Sequence, residues 1–146
     1  MKVLVDTSVW SLALRRSRAQ THPVVEELRH LIDEGRVAIV GPIRQELLSG
    51  VKESNRFAEL RDHLQAFSDE PLERADFERA AEHFNTCRAR GVQGSNTDFL
   101  LCAAAERRGM PILTVDDDFS RFARILPIDL HGDSESPILN RPNPGS

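Results

Sequence analysis

The chain has 146 residues, 40% apolar and 29% charged, the ordinary balance of one globular domain built on one core. Its net charge of −4 and pI near 5.7 give the whole surface no attraction for polyphosphate, so a nucleic-acid ligand would require local positive charge or a bound cation. With 5% aromatic residues it lacks a base-stacking platform, and it has neither the roughly 20-residue apolar run of a membrane span nor a signal-peptide pattern, so a cytoplasmic location without membrane contact is expected.

Residues 2–5 form a short β-branched run that predicts a first strand, stopping at Asp6-Thr7-Ser8, three good helix caps, with a helix over Val9 to Arg16. Thr21-His22-Pro23 opens a second helix, with Val24, Leu28, Leu31 and Ile32 at helical spacing, closed by Gly35. Residues 36–40 read as the second strand, and Gly41-Pro42 starts a helix through Glu46 to about Lys52. Residues 55–66 and 74–89 give two amphipathic helices, the second carrying Phe77, Ala80, Ala81, Phe84 and Cys87. After Gly91 and Gly94, Ser95 caps a helix from Asn96 to Arg108 that ends at Gly109. Pro111 to Val115 is the third strand, Asp116 to Ala123 a short helix, and Ile125 to Leu130 a last strand interrupted by Pro127. Cys87 and Cys102 have no metal-site spacing and read as buried thiols of a reducing compartment. Short apolar strands alternating with helices imply an α/β fold, a three-layer α/β/α sandwich with a short, mainly parallel central sheet. The domain is expected over 1–130, and the polar, Pro/Gly-rich residues 131–146 as a flexible tail.

Four acids stand out by position, and each has a plain explanation of its own. Asp6 follows the first strand and could cap the next helix. Glu46 is expected near the first turn of its helix, where an acid suits the dipole. Asp98 lies three residues after Ser95, a capping-box spacing, yet it is also in line with the apolar Leu101, Cys102 and Ala105. Asp116 opens a triple Asp after the third strand, where a solvated turn would suffice. Jointly they say more. Strand ends and helix starts meet at one edge of a parallel α/β sheet, so all four should project to the rim where such sheets place their ligand crevice. Carboxylates gathered there repel and take up protons unless a cation neutralises them. A hard divalent ion with oxygen ligands, Mg²⁺ or Mn²⁺, fits such a set, and it can activate water and offset charge on a phosphoryl group.

These segments resemble the PIN-domain nucleases, and within them the toxins of VapBC-type toxin–antitoxin pairs. The resemblance rests on VLVDTSVW, on the Glu of PIRQELLSG, on DFLLCAAAERRGMPILT and on VDDDFSRF, in that order over residues 1 to about 130. It implies a Mg²⁺-dependent endoribonuclease held inactive by a cognate antitoxin, with RNA as substrate and a homodimer left open. Asp6, Glu46, Asp98 and Asp116 take the family's four acidic positions, Thr7 and Thr114 match hydroxyl positions beside them, and Asp118 matches an extra acid. Between Asp116 and Asp117, the Thr114-x-Asp116 spacing favours Asp116.

The mechanism expected is in-line attack of a cation-activated water on a phosphodiester, leaving 5′-phosphate and 3′-hydroxyl ends. Asp6, Asp98 and Asp116 would hold the ion, and Glu46 would orient or deprotonate the nucleophile or complete a second site. Three rivals remain: a non-toxin PIN-type RNA-processing nuclease, a metal-binding regulatory module without turnover, and a small-molecule phosphohydrolase with Asp6 as nucleophile. The last would want a second Asp where Ser8 stands. Among other residues, His22, His30, His63, His83 and His131 read as ordinary surface or edge histidines. Arg15, Arg16 and Arg18 could grip phosphates or simply be solvated, and Arg44 reads as surface. Trp10, Leu12, Leu14, Leu47, Leu48 and Phe57 read as core, with a partner groove as the second choice.

Overall fold

A computed structural model describes residues 1–14 and 22–132. Arg15, Arg16, Arg18 and the expected tail beyond residue 132 lie outside them. Three strands, β1 (Val3–Val5), β2 (Val37–Ala38) and β3 (Ile112–Leu113), form a parallel sheet in the order β2-β1-β3. Among the described residues seven helices surround it: α1 (Thr7–Ala13), α2 (Pro23–Asp33), α3 (Gly41–Ser49), α4 (Ser54–Leu64), α5 (Arg74–Ala89), α6 (Asn96–Arg108) and α7 (Asp118–Ile125). This is the three-layer sandwich expected.

The sheet is short and central. Leu4 faces Ala38 on one side and Ile112 on the other. β1 is therefore paired on both edges, and its three residues are fully buried, which is why the run is apolar without alternation. Helix α6 is buried from Phe99 through Ala105, on all faces rather than along one stripe. It packs against α5 and ends at Gly109, whose φ of 66° is a left-handed cap. Cys87 and Cys102 are both buried thiols, as expected.

The structure corrects several element bounds. Helix α1 begins at Thr7 rather than Val9, because the Asp6 side chain caps it by accepting from Ser8 N at 3.3 Å. Ordered pairing in β2 stops at Ala38. Ile39 makes only an isolated bridge to Asp69, and Val40 becomes the N-cap of α3. No strand forms over 125–130. Helix α7 runs through Ile125, and a single bridge joins Leu130 to Ile112. Pro127 has no N–H to give a ladder, and Leu126 N and Ile128 N bond locally to Phe122 O and Leu126 O. What survives of the expected strand is a pair of bonds at its far end, Ile112 N to Asp129 O and His131 N to Ile112 O.

Candidate active site

Each of the four acids is held by a hydroxyl or amide, from its own turn or from a distant element. Asp6, at the end of β1, is buried, and its Oδ2 accepts from Ser8 Oγ at 2.7 Å and Thr114 Oγ1 at 3.0 Å as well as from Ser8 N. Thr114 follows β3, so these bonds tie the ends of two neighbouring strands. Glu46 Oε1 accepts from Thr7 Oγ1 at 2.8 Å, joining α3 to the first residue of α1. Asp98 forms the capping box with Ser95: Ser95 N donates to Asp98 Oδ2, and Asp98 N donates to Ser95 Oγ, both at 3.0 Å. Asp116 Oδ1 accepts from Asp118 N at 2.9 Å, while Asp116 N donates to Thr114 Oγ1 at 3.0 Å.

A pattern runs through these contacts. In each carboxylate one oxygen takes the bonds, and the second, Asp6 Oδ1, Glu46 Oε2, Asp98 Oδ1 or Asp116 Oδ2, receives none from the described residues. Among the described residues that are not exposed, Trp10 Nε1 is the one sealed side-chain polar atom without a partner, so the free oxygens of Asp6, Asp98 and Asp116 keep contact with solvent, and Glu46 is itself exposed. The acids also sense one another. Burial pushes the Asp98 carboxyl up, the bonds from Ser95 oppose this, and the charges of Asp6 and Asp116 raise it further.

Among the described residues no group of three or more His, Cys, Asp or Glu side chains is gathered closely enough to hold a metal ion. Mg²⁺ does not demand one: it keeps several waters and is held through one or two carboxylates plus substrate phosphate. An all-oxygen donor set with one free oxygen per carboxylate, and with an acid destabilised by its neighbours, suits such a hard cation in chemistry.

Several sequence expectations need correction here. Glu46 is the sixth residue of α3, beyond the first turn, so a dipole role does not explain it. Asp98 completes the capping box that its spacing allowed, and the charges of Asp6 and Asp116 reach it. Asp118 turns its carboxylate to Arg121, and Asp117 is exposed with no side-chain cap bond. Trp10 is buried edge-on to Phe67, so it faces the core. Arg44 is not mere surface: it donates to Leu64 O, Phe67 O and Asp69, fastening the end of α4 to α3. His83 is buried with its ring 2.7 Å from Glu106 Oε1, and His22 caps α2 by accepting from Val24 N. Ser8 was missed as a site residue. Its only sequence signal is a hydroxyl two positions after Asp6.

Residues 3–125 match the PIN domain. The chain belongs to the PIN-domain family. Ribonuclease VapC11 of Mycobacterium tuberculosis is 33% identical to this PIN domain over 127 residues, spanning 84% of this chain and 92% of that one. VapC ribonuclease Mb1587 of Mycobacterium bovis aligns with the same identity and coverage. Among solved structures, VapBC2 from Rickettsia felis, bound to a DNA fragment from its promoter, superposes with a TM-score of 0.73 at 18% identity, over 90% of this chain and 98% of that one. At that identity the superposition speaks for the fold.

Proposed function

We propose that this PIN domain is a divalent-metal-dependent endoribonuclease and the toxin of a type II toxin–antitoxin pair, acting in the cytoplasm. The observation that carries the reading is that Asp6, Glu46, Asp98 and Asp116 are each pinned through one oxygen and keep the other free, with the charges of Asp6 and Asp116 reaching Asp98. The relatives named as VapC ribonucleases support it.

Asp6, Asp98 and Asp116 would hold Mg²⁺, or Mn²⁺ in its place. When bound, the ion lowers the pKa of water and offsets charge developing on the phosphoryl group. Ser8 and Thr114 fix the rotation of Asp6, and Thr114 also fixes Asp116 through its backbone N–H. Glu46, steadied by Thr7, orients or deprotonates the attacking water, and the departing 3′-oxygen leaves a 5′-phosphate on the other fragment. An antitoxin would compete by placing an Arg or Lys among these carboxylates. Its apolar segment would lie along the 730 Å³ cleft beside Glu46, lined by Leu14, Leu47 and Leu60, and not against the buried Trp10.

The test is incubation of purified protein with a panel of structured RNAs in Mg²⁺ and in EDTA, with the product ends mapped. Cleavage in Mg²⁺ alone with 5′-phosphate ends is expected, and Asp6→Asn and Asp98→Asn should each lower it about 100-fold or more. Full activity in both variants would remove the carboxylate mechanism, and no cleavage of any RNA would favour a regulatory metal module.

A further inference from the structure

An acidic protein with an acidic rim must still hold a polyanion, so the placement of its unspent cations is informative. Most described Lys and Arg side chains are already matched to an acid, as Arg107 and Arg108 are to Asp76. Among the described residues, Lys52, Arg56, Arg74, Arg88, Arg90 and Arg124 have no acidic partner within ion-pairing distance. Arg56 differs from the rest in where it sits. It lines the 730 Å³ cleft together with Thr7 and Glu46, one of the four acids and the hydroxyl that holds it. Arg88 lines a separate cavity with Phe84 and Gln93.

The local chain explains the position. Helix α3 carries Glu46 and ends at Gly50, and α4 starts at Ser54, so Arg56 in the first turn of α4 is returned to the side of α3 from which Glu46 projects. A second cavity of about 270 Å³ adjoins the cleft at Arg56, sharing Gly50 and Val51 with it and lined also by Lys52 and Glu53. Glu59 lines the cleft and Glu53 the adjoining cavity, yet neither forms an ion pair with Arg56 or Lys52. Both cations are exposed. His63 also lines the cleft, its Nδ1 3.2 Å from Glu59 O.

We propose that Arg56, with Lys52 beyond it, binds consecutive backbone phosphates of the substrate strand as it leaves the acidic rim. This rests on the ribonuclease reading above. The planar guanidinium of Arg56 matches a phosphate bidentately, Lys52 acts as a point charge, and together they set the direction in which the RNA runs: from Glu46 across the start of α4. Neither residue touches the reacting atoms. They position the strand, so they govern binding rather than turnover.

The experiment compares Arg56→Gln, Arg56→Lys and Lys52→Gln with Arg74→Gln, which removes an unpaired cation that lines neither cavity. Steady-state cleavage is followed across a KCl series. In parallel, fluorescence anisotropy of a labelled single-stranded RNA is measured in an Asp98→Asn background, where turnover is held off. Arg56→Gln should raise KM and Kd about tenfold with kcat within a few-fold of the parent, as expected for losing a charge-assisted bond. Each Gln variant should flatten the dependence of log Kd on log salt by about 0.7, the share of one single-strand phosphate contact. Arg56→Lys should restore the salt slope and most of the affinity. Binding and salt slope no different from Arg74→Gln, or a fall in kcat alone, overturn the proposal. Parent protein that cleaves none of the RNAs while its binding still depends on Arg56 overturns the ribonuclease reading and leaves the phosphate contact standing.

Discussion

Thr114 donates its hydroxyl hydrogen to Asp6 Oδ2 at 3.0 Å, joining by side chains two strand ends that are 108 residues apart in the chain. Ser8 donates its own hydroxyl hydrogen to the same oxygen at 2.7 Å. With both hydrogens spent, the 3.3 Å approach of Ser8 Oγ to Thr114 Oγ1 is a contact of two acceptors, each also receiving a backbone N–H, from Val115 and Asp116 respectively. The two hydroxyls therefore hold Asp6 from one side and leave Oδ1 for other work.

Removing one of them should loosen Asp6 without unfolding the domain. Ser8→Ala is expected to lower RNA cleavage and the apparent Mg²⁺ affinity by about 10–100-fold, the usual cost of losing a group that orients a metal-binding side chain. Ser8→Thr, which keeps the hydroxyl, should recover much of this. Mg²⁺ titration of the cleavage rate for the three proteins checks it, and equal activities would leave Ser8 a helix-start residue only.

Asp76 makes a second prediction, about stability. It is fully buried, accepting from Arg107 and Arg108 at 2.8 Å and from Glu73 N at 2.7 Å. The Arg108 hydrogen bond holds its carboxyl well below the usual range, against a burial cost in the other direction, with Glu73 and Arg107 adding to the lowering. A depressed carboxyl stabilises the fold above its unfolded pKa of about 3.9, and that stability drains away as pH falls toward the folded value. Asp76→Asn should therefore cost about 3 kcal/mol near neutral pH, at the low end of the buried-pair range because Arg107 is a third exposed. Urea unfolding at pH 7 and pH 3 should show the gap to the parent closing at the lower pH. A gap independent of pH would mean the loss is packing and not charge.

Gly94 supplies a third. A Cβ there would stand 2.5 Å from Phe122 Cζ and 3.1 Å from Phe99 Cε2, two rings that also pack on each other. Gly94→Ala should destabilise the domain by about 1–3 kcal/mol through overpacking. It also borders Ser95, whose bonds fix Asp98, so activity should fall further than the melting temperature alone explains. A variant with the parent's melting temperature and rate would show that the rings give way freely.

The sequence was most legible where local chemistry marks an element. The bounds of α5 and α6 are those expected, because Ser95 and Gly109 carry the capping signals of α6 themselves. It was least legible where partners are distant. Nothing near Ser8 announces that Val115 will donate to it, and nothing near His83 announces that Glu106 will face it in the core. The expected final strand failed at a visible Pro127, whose cost to pairing was underweighted against the apolar residues around it. Glu46 was placed near the first turn although the legible start at Gly41 already makes it the sixth residue of α3. Asp6, Asp98 and Asp116 stood out in the sequence by their places at strand ends and a helix start, and the charges of Asp6 and Asp116 do reach Asp98 in the fold. Their hydroxyl and amide partners became visible only with the fold.

The central claim is that Asp98 shares a divalent ion with Asp6 and Asp116, and thermal melting of the parent and Asp98→Asn in EDTA and in millimolar Mg²⁺, at equal ionic strength, tests it most directly. Burial and the charges of Asp6 and Asp116 make the ionised form of Asp98 costly in the folded state, so the neutral amide should relieve that cost. Asp98→Asn is expected to melt at or above the parent temperature in EDTA, and to gain less from Mg²⁺ than the parent, since a cation bound to the folded state stabilises it by RT ln(1 + [L]/Kd). A variant that melts lower in EDTA, by the roughly 0.3–1 kcal/mol of a lost helix-start charge, and that gains as much from Mg²⁺ as the parent, would make Asp98 a cap alone and contradict the account.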